Sequence, residues 1–185
     1  MKELPLSNAY QFIEPGPVVF VVTSDEGKPN LMSMSYHMVI DDGYRPLIGC
    51  MLGSWDHSFK ILHRTGECVI SVPTAELIST VVAIGNCSGT NMDKFTEFCL
   101  TPVSGKIVKA PLVAECLVNL ECQVHDDSLI NQYNLIILEV VHAWIDLEHK
   151  DQRMIHHNGN GTFRIDNEIV DLRHKMVRWP DYASR

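Results

Sequence analysis

The sequence predicts a mostly β fold, an antiparallel barrel carrying a few short helices. Three observations lead there. Successive apolar runs in the first third are separated by short turn segments, which suits hairpins rather than crossovers. The stretch "PLVAECLVNLECQV", residues 111–124, alternates apolar and polar side chains almost without a break, the period of a half-buried strand. Nowhere do strands and helices alternate regularly, as a parallel βαβ sheet requires. About six or seven strands follow from this reading, in a single domain of 185 residues.

Taken in order, "PVVFVVTS" (17–24) is a β-branched run closed by "DEGKPN", a turn segment with Gly27 and Pro29. "LMSMSYHMVI" (31–40) is expected as the next strand, then the turn "DDGYRP", then the strand "LIGCML" (47–52). A helix is expected in "SWDHSFKILHRTG", with Ser54 or Asp56 as cap, Phe59 and Leu62 on one face, and Gly66 as the stop. "ECVISV" (67–72) returns as a strand. "TAELISTVVAIG" offers Thr74 as a cap, helically spaced apolar residues at 77, 78, 81, 82 and 84, and Gly85 at its end. A short helix from near Asn91 would put Phe95 and Phe98 on one face.

In 111–124, Leu112, Ala114, Cys116, Val118, Leu120, Cys122 and Val124 point one way, and Glu115, Asn119, Glu121 and Gln123 the other. "YNLIILEVVHAWI" (133–145) is apolar on both faces and is expected to be central. After it the chain loosens into "HHNGNGTFRI" and a charged tail, so the core spans about 14–165 and residues 166–185 are peripheral. No repeat, linker or low-complexity tract divides the chain.

The formal charge of -8, with no basic cluster, repels a phosphate backbone at long range and argues against nucleic acid as a partner. A single small anion remains compatible, because a few local donors outweigh a distant field. There is no run of eighteen or more apolar residues, so no membrane span is expected. The opening "MKELPLSNAYQF" lacks the features of a signal peptide. The six cysteines form no CxxC pair, and four of them lie in apolar stretches. They read as reduced, buried thiols, and the protein as cytoplasmic.

The stretch "GNCSGTNMDKF" (85–95) has the look of a site. It is not a Walker A loop, since Gly89 precedes Lys94 by five residues and a helix rather than a strand leads into it. Cys87 as a nucleophile would need a histidine and an environment that lowers its pKa, and the sequence places neither beside it. A plain Gly-capped connection is the simplest reading. Against it stands Lys94 in the first turn of a helix, where a cation is unfavourable unless an anion shares the place. "GSWDHSFKIL" offers a second such start, with Ser54, His57 and Ser58 at a helix entrance whose backbone donors are unpaired. Two starts of this kind in one small acidic barrel favour a shared phosphate. "HHNGN" lacks a ligand set at metal spacing, so no metal is expected, and His142 within an apolar strand reads as a core residue. No triad or paired-carboxylate spacing stands out as hydrolytic.

Five segments together resemble the flavin reductase-like family with the FMN-binding split-barrel fold, near its flavoredoxin branch. They are "EPGPVVFVVTSDEGKPNLMSMSYHMV", "HSFKILHRTGECVISVP", "GNCSGTNMDKFTEFCLTP", "APLVAECLVNLECQV" and "LEVVHAWID", in the family's order from about Glu14 to Ile165. The resemblance implies an antiparallel Greek-key split barrel of six strands, a homodimer, and FMN near the subunit interface. It places Asn30 and Ser33–Met34–Ser35–Tyr36 along the flavin ring, with Phe163 bordering it. It places His57, Ser58 and Lys94 at the FMN phosphate, and Ser54, at the same helix entrance, counts with them among the candidate cofactor-binding residues. NADH or NADPH is the implied electron donor, and free flavin or a redox partner protein the acceptor. One departure bears on the donor: many relatives carry a histidine near the nicotinamide site where this chain has Tyr133. A carrier reduced by another protein, or a split-barrel module that binds flavin or haem without catalysis, are the alternatives.

Overall fold

The computed structural model describes residues 16–168; the opening segment read for a signal peptide and the tail beyond residue 168 lie outside them. β1 (Val19–Asp25) and β2 (Lys28–Met34) form a hairpin in register from Val19↔Met34 to Asp25↔Lys28. Its two-residue turn, Glu26–Gly27, has φ of 48° and 79°. This left-handed pair matches the twist of the flanking strands. Pro29 stands opposite Ser24 in an edge strand, where a missing N–H breaks no outer ladder.

The run 31–40 is not one strand. It divides at Ser35–Tyr36 into the end of β2 and β3 (His37–Asp41). After β3 come β4 (Leu47–Met51), β5 (Glu67–Val72), the short β6 (Pro102–Val103) and β7 (Leu112–Val113), then β8 (Val118–Asp126) and β9 (Leu135–Ile145). Seven strands form one antiparallel sheet in the order β2-β1-β5-β8-β9-β4-β3. Its two edges, β2 and β3, are separated by two residues, which span roughly 11 Å at most. The edges are therefore brought together, and the sheet rolls into a barrel split along that seam.

Val19, Val21, Cys50, Cys68, Ile70, Cys122, Ile136 and Leu138 fill the inside of the roll with Leu62. The other face of the same strands, with Phe20, Val22 and Val69, is also buried, beneath Val81, Ile84, Phe95 and Val108. Both faces being covered explains why 17–22 is apolar throughout instead of alternating. The four cysteines expected in the core are buried, and burial pushes Cys50 up to about 12. β9 does lie inside the ladder between β8 and β4, although its far end, Ala143–Ile145, is exposed.

The fourteen-residue alternating strand is corrected twice. It is broken between β7 and β8, with a turn at 114–117 closed by the Cys116 N–H donating to Val113 O at 3.1 Å. Its polar face is not uniformly solvated either: Glu121 is 0% exposed and Asn119 is buried. The Asn119 amide takes up the backbone of β7, accepting from Val113 N (2.8 Å) and donating to Val113 O (3.1 Å). The Glu121 carboxylate accepts from the N–H groups of Lys106 (2.9 Å), Ile107 (2.6 Å) and Val108 (2.8 Å) and from the Trp144 indole (2.8 Å). Residues 105–113 cross this face and need acceptors for their N–H groups, which apolar residues could not supply.

α1 (His57–Thr65) starts at Asp56 and ends at Gly66, whose φ of 71° lets its N–H return to Leu62 O at 2.8 Å. A 3-10 turn at Ala75–Leu77 leads into α2 (Ile78–Gly85). α3 (Lys94–Glu97) buries Phe95 with Phe98 packed beside it, as the spacing predicts. α4 (Ile130–Tyr133) precedes β9. The segment expected to loosen after β9 instead forms a hairpin of β10 (Ile155–His157) and β11 (Phe163–Ile165). It is tied to the barrel by Val18 N donating to Ile155 O at 2.6 Å. Among the described residues no helix is long and apolar enough to cross a membrane, and no three metal-ligating side chains converge.

Candidate functional site

Three cavities meet at Ser33, which lines all of them. Its Oγ donates to Val81 O at 2.7 Å and so fixes α2 against the end of β2. One cavity, of about 250 Å³, is polar and lies between β2, the start of α1 and the loop after α2. A second, of about 310 Å³, is apolar, with Val81, Val82, His157 and Phe163 in its wall. The third, of about 410 Å³, lies towards Tyr36, Met51, Trp55 and Asn134.

The polar cavity gathers Asn30, His57, Ser58 and Lys94. Asp56 precedes α1 but does not cap it; its Oδ2 accepts from Gly53 N at 3.0 Å, leaving the first-turn N–H groups of α1 without a side-chain cap. The Ser58 hydroxyl is buried and accepts from Asn30 Nδ2 at 2.8 Å, so its own proton is free to be given. Asn30 Oδ1 is buried with no partner. Ser88 Oγ donates to Thr90 Oγ1 at 3.1 Å, and Thr90 Oγ1 lies 3.3 Å from His57 Nδ1. Gly89 closes the loop over Asn30: a Cβ there would overlap the amide, with Cγ only 2.7 Å away.

Lys94 is 3% exposed, and its Nζ donates to Ile84 O at 3.1 Å. Burial lowers its pKa, opposed by the Cys87 sulfur and the Asp56 carboxylate nearby. The expectation that the start of α3 holds an anion is corrected. Asp93 caps α3 through Phe95 N (3.0 Å) and Thr96 N (3.3 Å), so that start is already occupied by a carboxylate. Lys94 turns back to the C-terminal end of α2, where a cation is favourable, and reaches the cavity from there. One ammonium, one free hydroxyl proton and the open start of α1 form a donor set for a phosphate-like anion.

Of the other residues singled out in the sequence, Ser33, Met34 and Ser35 line both larger cavities, Tyr36 the third and Phe163 the second, where its ring centroid lies 5.0 Å from that of His157. Asn30 lies at the polar end beside Ser58. Ser54 is an exposed turn residue that lines none of the three. Tyr133 is exposed on α4, accepting from Gln132 Nε2 at 3.0 Å, while its chain neighbour Asn134 reaches the third cavity. Sequence reasoning missed Met32, Trp55, Val81 and His157 as lining residues. Trp55 carried a signal, a bulky aromatic between Gly53 and an expected cap; the others had none, because folding alone brings them to Ser33.

A family model described as "Flavin reductase like domain" matches residues 13–163. An uncharacterized protein of Archaeoglobus fulgidus is 32% identical over 137 residues, covering 74% of this chain and 76% of its own length. Among solved structures, a flavoredoxin of Desulfovibrio vulgaris (Miyazaki F) superposes with a TM-score of 0.82 at 22% identity, covering 96% of this chain and 100% of that one. An FMN-binding domain of a flavin reductases-like enzyme from Shewanella baltica OS155 gives a TM-score of 0.78 at 24% identity, covering 91% and 95%. These structural likenesses speak for the split-barrel fold, and the family match spans most of the chain. The chain belongs to the flavin reductase-like family.

Proposed function

We propose that the protein is an FMN-binding flavoprotein oxidoreductase that takes electrons from NADH or NADPH and passes them to free flavin or to a partner protein. The observation that carries this reading is Lys94, a nearly closed-off ammonium with one carbonyl partner, facing a polar cavity that shares Ser33 in its wall with two larger, less polar ones. An elongated ligand with an anionic end and an apolar planar end suits that arrangement. Ser58, His57 and Lys94 would hold the phosphate. The Asn30 acceptor, buried without a partner, suits a ribityl hydroxyl, and the chain at Ser33–Tyr36 with Phe163 would border the ring.

Bound there, FMN itself supplies the hydride and electron chemistry. The chain's residues then have to orient the ring, exclude water and hold a donor close, so no acid–base pair is required. Membership of the flavin reductase-like family and the likeness to an FMN-binding domain from Shewanella baltica support the cofactor. Tyr133 in place of the family's common histidine favours a second reading, an electron carrier reduced by another protein. A homodimer is part of the proposal, because β3 presents Met38, Val39 and Ile40 to solvent beside Tyr44, with Val39 72% exposed.

The purified protein is expected to be yellow and to release FMN rather than FAD. Rapid mixing with NADH and with NADPH is expected to bleach the flavin with at least one of them. Colourless protein that fails to take up added FMN overturns the proposal; a flavin bleached only slowly by both nucleotides selects the carrier.

A further inference from the structure

The sequence places no histidine or cation beside Cys87. The fold supplies them. Its Sγ donates to Ile84 O at 3.5 Å, and the same oxygen accepts from Lys94 Nζ at 3.1 Å, so thiol and ammonium are neighbours. Cys87 lines the polar cavity together with His57, Ser58 and Lys94 and is partly open to solvent. Two further features mark that cavity as built for a ligand: the orphaned, buried Oδ1 of Asn30, and an ammonium with a single acceptor among the described residues.

We propose that Cys87 is a modifiable thiol whose oxidised form and the anion of this cavity exclude one another. Cys50, Cys68, Cys116 and Cys122 are buried in the barrel and its cover, whereas Cys87 is accessible. With hydrogen peroxide as oxidant, the Cys87 sulfur bonds one peroxide oxygen as the O–O bond breaks and the S–H proton is released. Sulfur loses two electrons to become a sulfenic acid, and the departing hydroxide takes a proton to become water. A second peroxide carries it to the sulfinate in the same way. That sulfinate is an anion beside Lys94 and claims the ammonium a phosphate would use. The part of the proposal concerning flavin rests on the reading of this cavity as the FMN phosphate site.

The test uses the full chain stripped of flavin and iodoacetamide as the probe, which forms a C–S bond at Cys87 with loss of iodide. Peptide mass spectrometry follows Cys87 and, as an internal control, the exposed Cys99, which lines none of the cavities. FMN and inorganic phosphate are expected to slow Cys87 tenfold or more, riboflavin much less, and Cys99 not at all. Peroxide treatment is expected to weaken FMN binding about ten- to a hundredfold, the loss of one charge-assisted contact. In Cys87→Ser, peroxide is expected to change FMN affinity no further. Labelling of Cys87 that ignores both FMN and phosphate, or FMN affinity that survives oxidation of Cys87, overturns the proposal. Protection by phosphate but not by FMN upholds the exclusion and removes the flavin reading instead.

Discussion

Lys94 brings a full charge into a nearly closed site and gives it one carbonyl oxygen, Ile84 O. The fold meets a desolvation cost there that only a second, anionic partner offsets well. A charge-assisted hydrogen bond is worth about 1.5–3 kcal/mol, so Lys94→Ala is expected to weaken FMN about ten- to a hundredfold and riboflavin hardly at all. Equal losses for the two flavins would mean a ring contact or misfolding. The protonation of this residue adds a pH signature. Burial holds the flavin-free pKa below the ordinary 10.5, so the unfolded chain keeps this proton to higher pH than the fold does. The penalty is present in full below the folded pKa and is relieved as pH rises through it towards 10.5. A bound phosphate acts the other way, by stabilising the ammonium. FMN affinity is expected to hold through neutral pH and to fall as pH climbs through the flavin-free pKa, with proton uptake on binding in that window. Calorimetry in buffers of different ionisation enthalpy measures this, and riboflavin is expected to show neither effect.

Among the elements, β8 shows how far a sequence period can be trusted. Period two correctly reports which of its side chains share a face. It does not report what lies over that face, and here the cover is the chain's own 105–113 segment. Glu121 holds that cover by three backbone hydrogen bonds and accepts a fourth from the Trp144 indole of β9. Burial pushes its carboxyl up, but the Lys106 N–H, the Trp144 indole and the N–H groups of Val108 and Ile107 together outweigh burial and hold it below the ordinary value. Its contribution to stability is therefore present above the unfolded pKa near 4.5 and lost as pH falls through the lower folded value. Glu121→Gln turns an acceptor into a donor facing N–H groups and is expected to cost about 3 kcal/mol at neutral pH. Denaturant titration reads the loss, and amide exchange at Lys106, Ile107 and Val108 is expected to accelerate beyond that of the barrel strands. Unchanged protection at those three amides would contradict the anchoring role. α1 and α3 form a similar contrast. Both starts were legible as sequence, yet only the contacts tell that Asp93 fills one while Asp56 turns to Gly53 and leaves the other open.

At the scale of the whole molecule, a seven-stranded roll with consecutive edge strands leaves β3 with three exposed apolar residues, Met38 and Ile40 on one face and Val39 on the other, and a fully exposed Tyr44 beside it. Exposed apolar side chains gathered on an edge strand call for a covering surface, and a second copy is the proposed one. Val39→Glu would bury a carboxylate at that contact and is expected to shift sedimentation from dimer towards monomer. A variant that sediments unchanged removes β3 from the interface.

The sequence by itself determined the class, because hairpin spacing, glycine stops and apolar periods are local properties that short stretches of chain enforce. It determined Ser58, Lys94 and the loop at Gly89 as candidates, since helix starts and glycines carry their own signature. Only the tertiary structure decided what those residues face. The split of 31–40 at Ser35–Tyr36 depends on which strands pair across the roll, and the burial of Glu121 depends on a segment that crosses it from elsewhere in the chain. The direction of Lys94 depends on where α2 ends, ten residues earlier. Each of these is set by long-range packing, in which the acceptor that wins is the one the folded chain brings within reach, and no local pattern encodes that.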